Sequence, residues 1–369
     1  MSKHTSFNLD GIWKFLLTAI LFFYALTEAS NILIPIVFSI FLAIILNPIV
    51  NKLVNWKVNK VLAIILVMIA IMIIMTIGVY FVSVQSKNLI SDLPDLTNRF
   101  KAFLDNLAVY FTELTGFSYK EQLELVKQNT DKFISSGSSF FTDALSATSS
   151  FLTFISIVPI YVFFMIYYKS NFKKFLLLMA NSSGKDMNDV IKEIQGMVFS
   201  YMGGLLIVIS IIATLNTLGL AILGIDYALF MGILSAILTV IPYIGIVLGA
   251  ILPITVALIT KDSLLYPLGV VAVFGFVQFL EGNFITPNII GSKVNVNPLA
   301  AIIGLLVGGA VWGIIGMIIA IPMLGITQII LRHIDGLKPY ALLLATSHHD
   351  HKKPKKEKVV EESEPKKED

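Results

Sequence analysis

The residues best suited to chemistry lie in a short polar stretch of an otherwise apolar C-terminal half. Between residues 198 and 331 the charged residues number only five: Asp226, Lys261, Asp262, Glu281 and Lys293. The first three fall in predicted turns, where water solvates them. Glu281 instead follows the apolar run 270–280, and an ionisable group beside a membrane span is by default a functional candidate. A carboxyl there could exchange a proton or contact a solute hydroxyl.

Glu281 lies among other polar side chains, namely Gln278, Asn283, Thr286 and Asn288. We take these five residues as the candidate lining of a solute path. Pro287 and Gly291 follow closely, and non-helical backbone at membrane depth is tolerated only where protein buries it or water fills the space. The alternative is a turn at the membrane surface. In that case Glu281 caps a helix or is solvated, and the amides satisfy backbone groups.

Prolines and glycines predict where helices of this half break: Pro242, Gly245, Gly249, Pro253, Pro287, Gly291 and Pro298. The first four lie inside one apolar run and predict a discontinuous or re-entrant helix pair. The string Ile-Pro-Tyr-Ile-Gly at 241–245 is similar to Ile-Pro-Met-Leu-Gly at 321–325. Interrupted segments in corresponding positions are typical of a binding site in a transporter. Chance similarity between two apolar strings is the competing explanation.

The composition is that of a polytopic membrane protein. The chain has 369 residues, of which 56% are hydrophobic and 14% charged, and its mean hydropathy is +0.83. Ordinary soluble domains are about 45–50% apolar and about 25% charged, which argues against a soluble enzyme. A net charge of +3 gives no reason to expect nucleic acid. With no cysteine and no histidine pattern in the apolar body, we expect no metal site and no cofactor.

An all-α fold of about eight transmembrane helices follows from eight hydrophobic stretches: 13–30, 32–50, 61–84, 151–168, 198–222, 228–260, 263–283 and 299–331. The sixth and eighth exceed the roughly 20 residues that cross a bilayer, so each is expected to be broken or bent. Loop 51–60 carries three lysines and no acid, and segment 169–197 is rich in lysine. This bias predicts that both termini are cytoplasmic.

The chain divides into four predicted regions. Residues 1–84 form an N-terminal three-helix membrane segment, and 85–150 form an extracytoplasmic helical subdomain with amphipathic spacing. That subdomain either contacts partners or the membrane surface, or is a packing hairpin without a role of its own. Residues 151–346 form a C-terminal membrane domain with an interfacial helix over 171–197. The lysine- and acid-rich segment 347–369 is predicted to be a disordered cytoplasmic tail.

Several strings resemble the bacterial autoinducer-2 exporter family. They are Pro-Tyr-Ile-Gly at 242–245, Gln-Phe-Leu-Glu-Gly-Asn-Phe-Ile-Thr-Pro-Asn-Ile-Ile-Gly at 278–291, Asn-Pro at 297–298, Tyr-Met-Gly-Gly at 201–204, and Gly-Ala-Val-Trp-Gly-Ile-Ile-Gly-Met at 309–317. The resemblance extends over most of the chain and implies a transporter of the bacterial inner membrane. Some family members are described as sodium(lithium)/proton antiporters, so membership does not fix the substrate.

Three functions remain open at this point. The first is export of a small polar solute, with autoinducer-2 as the candidate, by secondary or downhill transport, because the only Gly-Lys pair lacks the rest of a Walker motif. The second is a sodium(lithium)/proton antiporter in which Glu281 titrates. The third is an oligomeric membrane scaffold whose 85–150 helices bind partners. A membrane enzyme is disfavoured, since the spans hold no serine, histidine and acid cluster. The expected partners are the lipid bilayer, a small polar solute or a monovalent cation with a proton, and further copies of the chain.

Overall fold

The computed structural model describes residues 9–115, 156–179, 184–240, 244–261, 263–291 and 293–346, and the regular elements in these ranges are all helical. The predicted all-α fold is therefore confirmed. The helices are α1 (Leu9–Glu28), α2 (Ser30–Asn55), α3 (Lys60–Thr115), α4 (Ser156–Tyr167), α5 (Lys169–Met179), α6 (Gly184–Ile222), α7 (Ala228–Leu238), α8 (Ile244–Thr260), α9 (Leu265–Leu280), α10 (Thr286–Ile289), α11 (Pro298–His333) and α12 (Lys338–Leu344). A π-helical turn, Glu281–Ile285, joins α9 to α10, and a 3-10 turn, Asp335–Leu337, precedes α12.

Five of the described segments are long and apolar enough to cross a membrane: Ser30–Asn55, Lys60–Leu89, Met187–Ile222, Leu265–Ile289 and Pro298–His333. Four shorter apolar helices accompany them: Leu16–Glu28, Ser156–Tyr167, Ala228–Leu238 and Gly245–Thr260. Large apolar side chains also cover the outside of these helices, as at Ile74 and Ile77, which are 67% and 62% exposed. Such an apolar outer surface suits lipid rather than water. The chain is a polytopic membrane protein.

The third hydrophobic stretch, 61–84, is only the beginning of α3. This helix continues without a break to Thr115, so the boundary predicted between residues 84 and 85 lies inside one element. At 1.5 Å per residue its 56 residues extend about 84 Å, far beyond a hydrocarbon core of about 30 Å. Half of the segment predicted as a separate subdomain is thus a rigid continuation of a span. The rest of 85–150, from residue 116, lies outside the described residues.

The interfacial helix predicted over 171–197 is two elements. Helix α5 fits the prediction in part, because it has no buried residue. The second half belongs to the 39-residue helix α6, where Val190 and Met197 are buried against α2 and α11. Amphipathic spacing at 187–197 therefore reflects packing against other helices. The sequence of 187–197 resembles that of a surface helix because the face opposite the buried residues carries lysine and acid side chains.

Helix α6 is the centre of the C-terminal half. Its buried residues join three separate apolar clusters: with α2 and α11 near Val198, with α7 and α9 near Ile212, and with α3, α7, α8 and α9 near Leu220. A further cluster holds α2, α3 and α4 together. Between helices in lipid, close van der Waals packing supplies much of the stability, because lipid tails are as apolar as the side chains.

The sixth hydrophobic stretch, 228–260, forms a tight helical hairpin. Helix α7 ends at Leu238 and α8 begins at Ile244, and Pro242 between them lies outside the described residues. The two limbs touch so closely that a Cβ on Gly245 would lie 1.7 Å from the carbonyl oxygen of Leu238. At about 1.5 Å per residue, the 11 residues of α7 are too short to cross the bilayer. The two helices therefore form a hairpin, and a re-entrant position of this hairpin in the bilayer stays a prediction.

Gly249 and Pro253 were predicted as breaks, and both lie inside the unbroken helix α8. Pro253 removes one backbone donor, which leaves the carbonyl of Gly249 without its usual partner. Membrane helices absorb such a loss when neighbouring helices pack around it. Pro253 is less than 2% exposed, and Gly249 packs on Ser235 of α7. The close packing of the hairpin therefore keeps α8 helical through both residues.

Helix α11 folds back on itself. Its backbone leaves the helical region at Trp312 and Gly313, and Gly313 has a φ of +60°, which glycine adopts without strain. Residues on either side of this point contact each other. A Cβ on Gly316 would lie 1.9 Å from the carbonyl oxygen of Gly308, and a Cβ on Gly308 would lie 3.2 Å from the Cβ of Ala320. In a straight helix residues 308 and 320 would be about 18 Å apart. The eighth stretch is therefore a second hairpin, broken as the sequence predicted.

The two similar strings do not occupy equivalent places in the two hairpins. Pro322 lies inside the second limb of α11, whereas Pro242 is outside the described residues and falls in sequence between the end of α7 and the beginning of α8. The prolines that correspond are Pro253 and Pro322, since each is buried in the limb that follows the bend. Similarity of the strings at 241–245 and 321–325 therefore reflects local composition and not a matched position.

Candidate functional site

The polar stretch around Glu281 lies alongside the middle of α6. Helices α6 and α9 run in opposite directions, so that Gly219 faces Val273 near one end and Gly204 contacts Ile290 towards the other. Glu281 falls between these two levels, inside the span Leu265–Ile289. Glu281 therefore lies within a continuous helical segment and not in a loop that follows it.

A π-helical turn displaces the helix at Glu281. The Thr286 N–H donates to the carbonyl oxygen of Glu281, five residues back, where an α-helix would use the carbonyl four residues back. Pro287 follows within the first turn of α10, and its ring has no N–H to donate. Proline at this position is accommodated by the π turn that precedes it, so Pro287 does not end the helix. Single π turns of this kind are frequent at functional sites.

The helix ends only after Pro287, where Gly291 and Pro298 lie. A Cβ on Gly291 would be 2.4 Å from the carbonyl oxygen of Pro287, so this tight turn requires glycine. Residues 294–297 are not helical, and Pro298 then begins α11. Asn297 caps that helix with its side-chain oxygen, which accepts a 2.8 Å hydrogen bond from the Ala300 N–H. Gly291 therefore follows the end of one helix, and Pro298 begins the next one.

A small cavity opens where α6, α7, α8 and α9 meet, at the tip of the first hairpin. It offers about 10 Å³ to the centre of a water molecule, which is room for about one water. Four polar residues and four apolar ones line it: Asn216, Ser235, Thr239 and Gln278, with Ile212, Ile246, Phe274 and Val277. A polar cavity of this kind among membrane helices is a candidate site for a ligand with hydrogen-bonding groups.

Asn216 is deeply buried at the cavity, at 2% exposure. Its Nδ2 donates a 3.0 Å hydrogen bond to Oγ of Ser235, and that hydroxyl donates to the Gly232 carbonyl oxygen at 2.9 Å. Among the described residues no donor reaches Asn216 Oδ1, and the same holds for the neighbouring hydroxyl of Thr217. An unpaired buried carbonyl oxygen costs about 1–3 kcal/mol, so Asn216 is a place where a ligand donor would be bound favourably.

Glu281 reaches this cavity through Gln278. The Gln278 side chain lines the cavity about one helical turn before Glu281 and lies beside its carboxyl, and both residues are half-buried. A carboxyl and an amide placed in this way can pass a change of charge or hydrogen bonding from one to the other. The site therefore combines one ionisable group with neutral hydrogen-bonding groups.

The other predicted residues of the polar stretch lie outside the cavity. Asn283 and Asn288 are exposed, and the Nδ2 atom of each donates at 2.8 Å to a carbonyl four residues back, that of Phe279 or Phe284. Thr286 is half-buried, and its backbone oxygen accepts from Ile290 and Gly291. These contacts hold the backbone around the π turn. Of the five predicted lining residues, the cavity thus brings together Gln278 and, through it, Glu281.

Sequence reasoning missed Asn216, Ser235 and Thr239. A signal was available for the first, because Asn216 is the only amide or charged side chain in the stretch 198–222. Serine and threonine in membrane helices commonly bond to their own backbone, so Ser235 and Thr239 gave no comparable signal. In the described part of the chain, no group of three His, Cys, Asp or Glu side chains is arranged to hold a metal ion.

The site's chemistry is that of binding. Amide, hydroxyl and carboxyl groups can hydrogen-bond a polar solute or coordinate a small cation through oxygen. Nothing in the donor set resembles a nucleophile activated by a base. The geometry therefore supports recognition and passage of a small polar species across the membrane.

Comparison with known proteins agrees with this chemistry. The profile of the AI-2E family transporter matches residues 15–336. YueF of Bacillus subtilis, which is named as a transport protein, is 29% identical over 67% of this chain and 68% of its own length. PerM of Escherichia coli K12, named as a permease, is 24% identical over 64% of this chain and 67% of its own length.

Other relatives match over a smaller share of the chain. YrrI of Bacillus subtilis, also named as a transport protein, is 28% identical over 55% of this chain and 59% of its own length. The family match is far more extensive, because it takes in all of the described membrane spans. A helical membrane protein with a polar cavity among its spans is what a membrane transporter requires. This chain belongs to the AI-2E transporter family.

Proposed function

We propose that the chain exports a small polar solute across the bacterial cytoplasmic membrane, and that the cavity beside Asn216 is part of the solute site. Autoinducer-2, a furanosyl signal with hydroxyl groups, is the candidate solute. The observation that carries the proposal is the unpaired Oδ1 of Asn216, which is buried at a polar cavity between membrane helices. A hydroxyl donor on a solute would satisfy that oxygen.

The remaining groups suit the same ligand. Hydroxyls of Ser235 and Thr239 and the amide of Gln278 can each donate or accept, so they can follow a solute with several hydroxyl groups. Glu281 supplies an acceptor whose charge depends on pH. Since the cavity has room for about one water, a furanosyl solute would need α7 and α8 to separate from α6 and α9. Transport coupled to an ion gradient, or downhill flow, would follow such an opening.

A sodium(lithium)/proton antiporter is the second candidate. The observation that favours it is the size of the cavity, since a dehydrated monovalent cation needs about as much room as one water. Oxygens of Asn216 and Ser235 would coordinate the cation, and Glu281 would release a proton as the cation binds. An oligomeric scaffold is the third candidate, and it makes no use of the cavity at all.

Orientation and assembly are part of the proposal. Two sets of contacts define the two ends of the molecule. Lys60 and Lys169 lie at one end, near the C-terminal end of α2, and Tyr227 contacts Asp92 of α3 at the other end. The lysine-rich end would be cytoplasmic, together with both termini. A homo-oligomer is also expected, and its test is the mass of the purified protein in detergent.

The decisive experiment measures flux in proteoliposomes, with labelled autoinducer-2 and a pH-sensitive dye read in parallel. Parent protein should move autoinducer-2, and Glu281→Gln should lower that flux or remove its pH dependence, because this change keeps shape and hydrogen bonding but removes the charge. Asp226→Asn is the matched control, since this exposed side chain lies in the turn before α7, and it should leave flux unchanged.

Each result assigns one function. A sodium- or lithium-dependent pH signal without autoinducer-2 movement would identify the antiporter. Flux of neither species, together with unaltered function after Glu281→Gln in cells, would favour the scaffold. If Glu281→Gln transports autoinducer-2 like the parent at every pH, Glu281 has no part in the path.

A further inference from the structure

Two lysines lie close together at one end of the bundle formed by α2, α3 and α4. Lys60 begins α3 and Lys169 begins α5, two elements far apart in sequence. The Lys169 Nζ donates hydrogen bonds of 2.7 Å to Oδ1 of Asn47 and to Oδ1 of Asn51, both on α2. The Lys60 Nζ donates 2.8 Å to the carbonyl oxygen of Tyr167 and lies 5.1 Å from the centre of its ring. The partners that position these ammonium groups are all neutral.

Neither lysine is matched by a carboxylate. The ion pairs formed by the residues that the structure describes are Lys192–Asp189, Arg332–Glu193 and Lys338–Asp335. Burial lowers the pKa of Lys169, and the neighbouring charge of Lys60 lowers it further. Two positive charges that repel each other in a half-buried position are stabilised by an anion between them.

Donors remain for such an anion. An ammonium group has three N–H bonds, of which Lys169 uses two and Lys60 uses one within the described structure. The partners on α2 and α4 hold both side chains in place, so little conformational entropy would be lost on binding. The site is therefore preorganised for a phosphate group, whose oxygens accept charge-assisted hydrogen bonds.

The surroundings are those of a membrane surface. Trp56 and Tyr168 are 66% and 43% exposed at this end, and aromatic rings of this kind concentrate at the level of the lipid headgroups. Helix α5 also leaves Phe172 and Phe175 exposed beside Lys173 and Lys174, the pattern of a helix lying on an anionic leaflet. A phosphate that arrives here is held at the depth of the headgroups.

We propose that Lys60 and Lys169, positioned by Tyr167, Asn47 and Asn51, form a binding site for the phosphate of an anionic phospholipid headgroup. The ligand class is phosphatidylglycerol or a related anionic lipid. The site lies on the N-terminal bundle, apart from the polar cavity of α6 to α9, and does not depend on which solute the protein transports. Lipid bound there would hold the beginning of α3, α5 and the end of α2 together.

Native mass spectrometry of the full-length protein in detergent tests the proposal, with phosphatidylglycerol as the probe and phosphatidylcholine as the neutral reference. The parent should retain phosphatidylglycerol in preference. The double substitution Lys60→Gln and Lys169→Gln should weaken phosphatidylglycerol binding about 30-fold, or about 1 kcal/mol for each lysine near an anionic surface. As a control, Lys192→Gln with Lys338→Gln removes the same charge from paired lysines and should leave binding unchanged.

A second variant keeps the fold intact while blocking the site. Asn47→Asp would place a carboxylate beside Lys169, so phosphatidylglycerol binding should fall while thermal stability is kept or raised. Excess inorganic phosphate should not displace the lipid. The proposal is overturned if both lipids bind the parent equally, if Lys60→Gln with Lys169→Gln binds like the parent, or if inorganic phosphate displaces the lipid, which would identify a free-phosphate site.

Discussion

Asn216 on α6 and Ser235 on α7 are joined by a 3.0 Å hydrogen bond in which Asn216 Nδ2 is the donor. In this arrangement the Ser235 hydroxyl donates its own proton to the Gly232 carbonyl oxygen and accepts from the amide. The amide therefore cannot turn over without leaving its nitrogen unpaired. Oδ1 of Asn216 is the atom left over, and it is an acceptor. A ligand that brings a donor or a positive charge would satisfy this oxygen.

Replacing Asn216 should separate function from stability. Asn216→Leu keeps the branched shape and the number of heavy atoms but removes the unpaired acceptor, and a buried acceptor without a partner costs about 1–3 kcal/mol. We expect flux of autoinducer-2 in proteoliposomes to fall roughly tenfold or more, the loss of one good hydrogen bond to the ligand. The thermal unfolding temperature should be unchanged or higher. The two measurements are made on the same purified preparation.

Thr214→Val on the same helix is the matched control. The Thr214 hydroxyl is exposed and donates only to the Ser210 carbonyl oxygen of its own helix. Flux and unfolding temperature should both resemble those of the parent. An Asn216→Leu protein that unfolds at a lower temperature and transports normally would identify Asn216 as a structural residue.

The fold-back of α11 predicts a disulfide that a straight helix cannot form. A Cβ on Gly308 would lie 3.2 Å from the Cβ of Ala320, just below the roughly 3.5–4.5 Å between the Cβ atoms of a disulfide, and 2.5 Å from the Gly316 carbonyl oxygen, so the two limbs must part slightly to admit the bridge. Because the natural chain has no cysteine, Gly308→Cys with Ala320→Cys gives a single possible pair. Mild oxidation should cross-link it within one chain, and mass spectrometry of the joined peptides should detect it.

Helix α6 provides the comparison, since it runs unbroken over the same separation. Phe199→Cys with Ile211→Cys places two cysteines 12 residues apart on α6, about 18 Å along its axis. This pair should stay reduced within the chain under the same oxidation. Equal behaviour of the two pairs would show that α11 is a straight rod.

From the sequence, the fold class and a break in each of the two long stretches could be predicted, but the place of the break only in the first. Proline and glycine at 242 and 245 predicted the break between α7 and α8, because their effects on the backbone are local. In α11 the most visible signal was Pro322, yet the chain turns at Trp312 and Gly313. A buried proline can be absorbed by packing, whereas a bend at a lone glycine depends on the fit of two limbs that are distant in sequence.

The candidate site was predicted only in part for a similar reason. Charge in a span is visible in the sequence, and it led to Glu281. Its partners at the cavity lie on α6 and α7, and their proximity arises from helix packing that no local pattern records. Asn283 and Asn288 were included because they are polar and near in sequence, but helical geometry turns both to the exposed face.

The charge bias predicts which end of the molecule faces the cytoplasm. Lysine-rich loops are retained inside, so a cysteine at Lys57 should be unreactive towards an impermeant maleimide in intact cells. A cysteine at Asp226, an exposed residue of the turn before α7, should react. Both should react once the membrane is permeabilised. Labelling at Lys57 in intact cells, without labelling at Asp226, would reverse the orientation.

Outside the spans, Tyr227 ties the turn before α7 to α3. Its hydroxyl donates to the carboxylate of Asp92. This hydrogen bond, followed by burial and by the charges of Asp92 and Asp226, raises the pKa of Tyr227 from its ordinary value of 10.0 to about 12. A folded-state pKa above the unfolded value means that the contact contributes its full stability below pH 10 and loses it as the pH rises through 12.

Alkaline titration of the full-length protein should therefore show that Tyr227 ionises late. Subtracting the tyrosinate absorbance of Tyr227→Phe from that of the parent isolates this residue, which should ionise near pH 12. In Asp92→Asn the same difference should move towards pH 10, because the partner can no longer carry a charge that opposes ionisation. Asp226→Asn should move it less, since Asp226 is the weakest of the causes. A difference centred at pH 10 in the parent would mean that Tyr227 and Asp92 are not in contact.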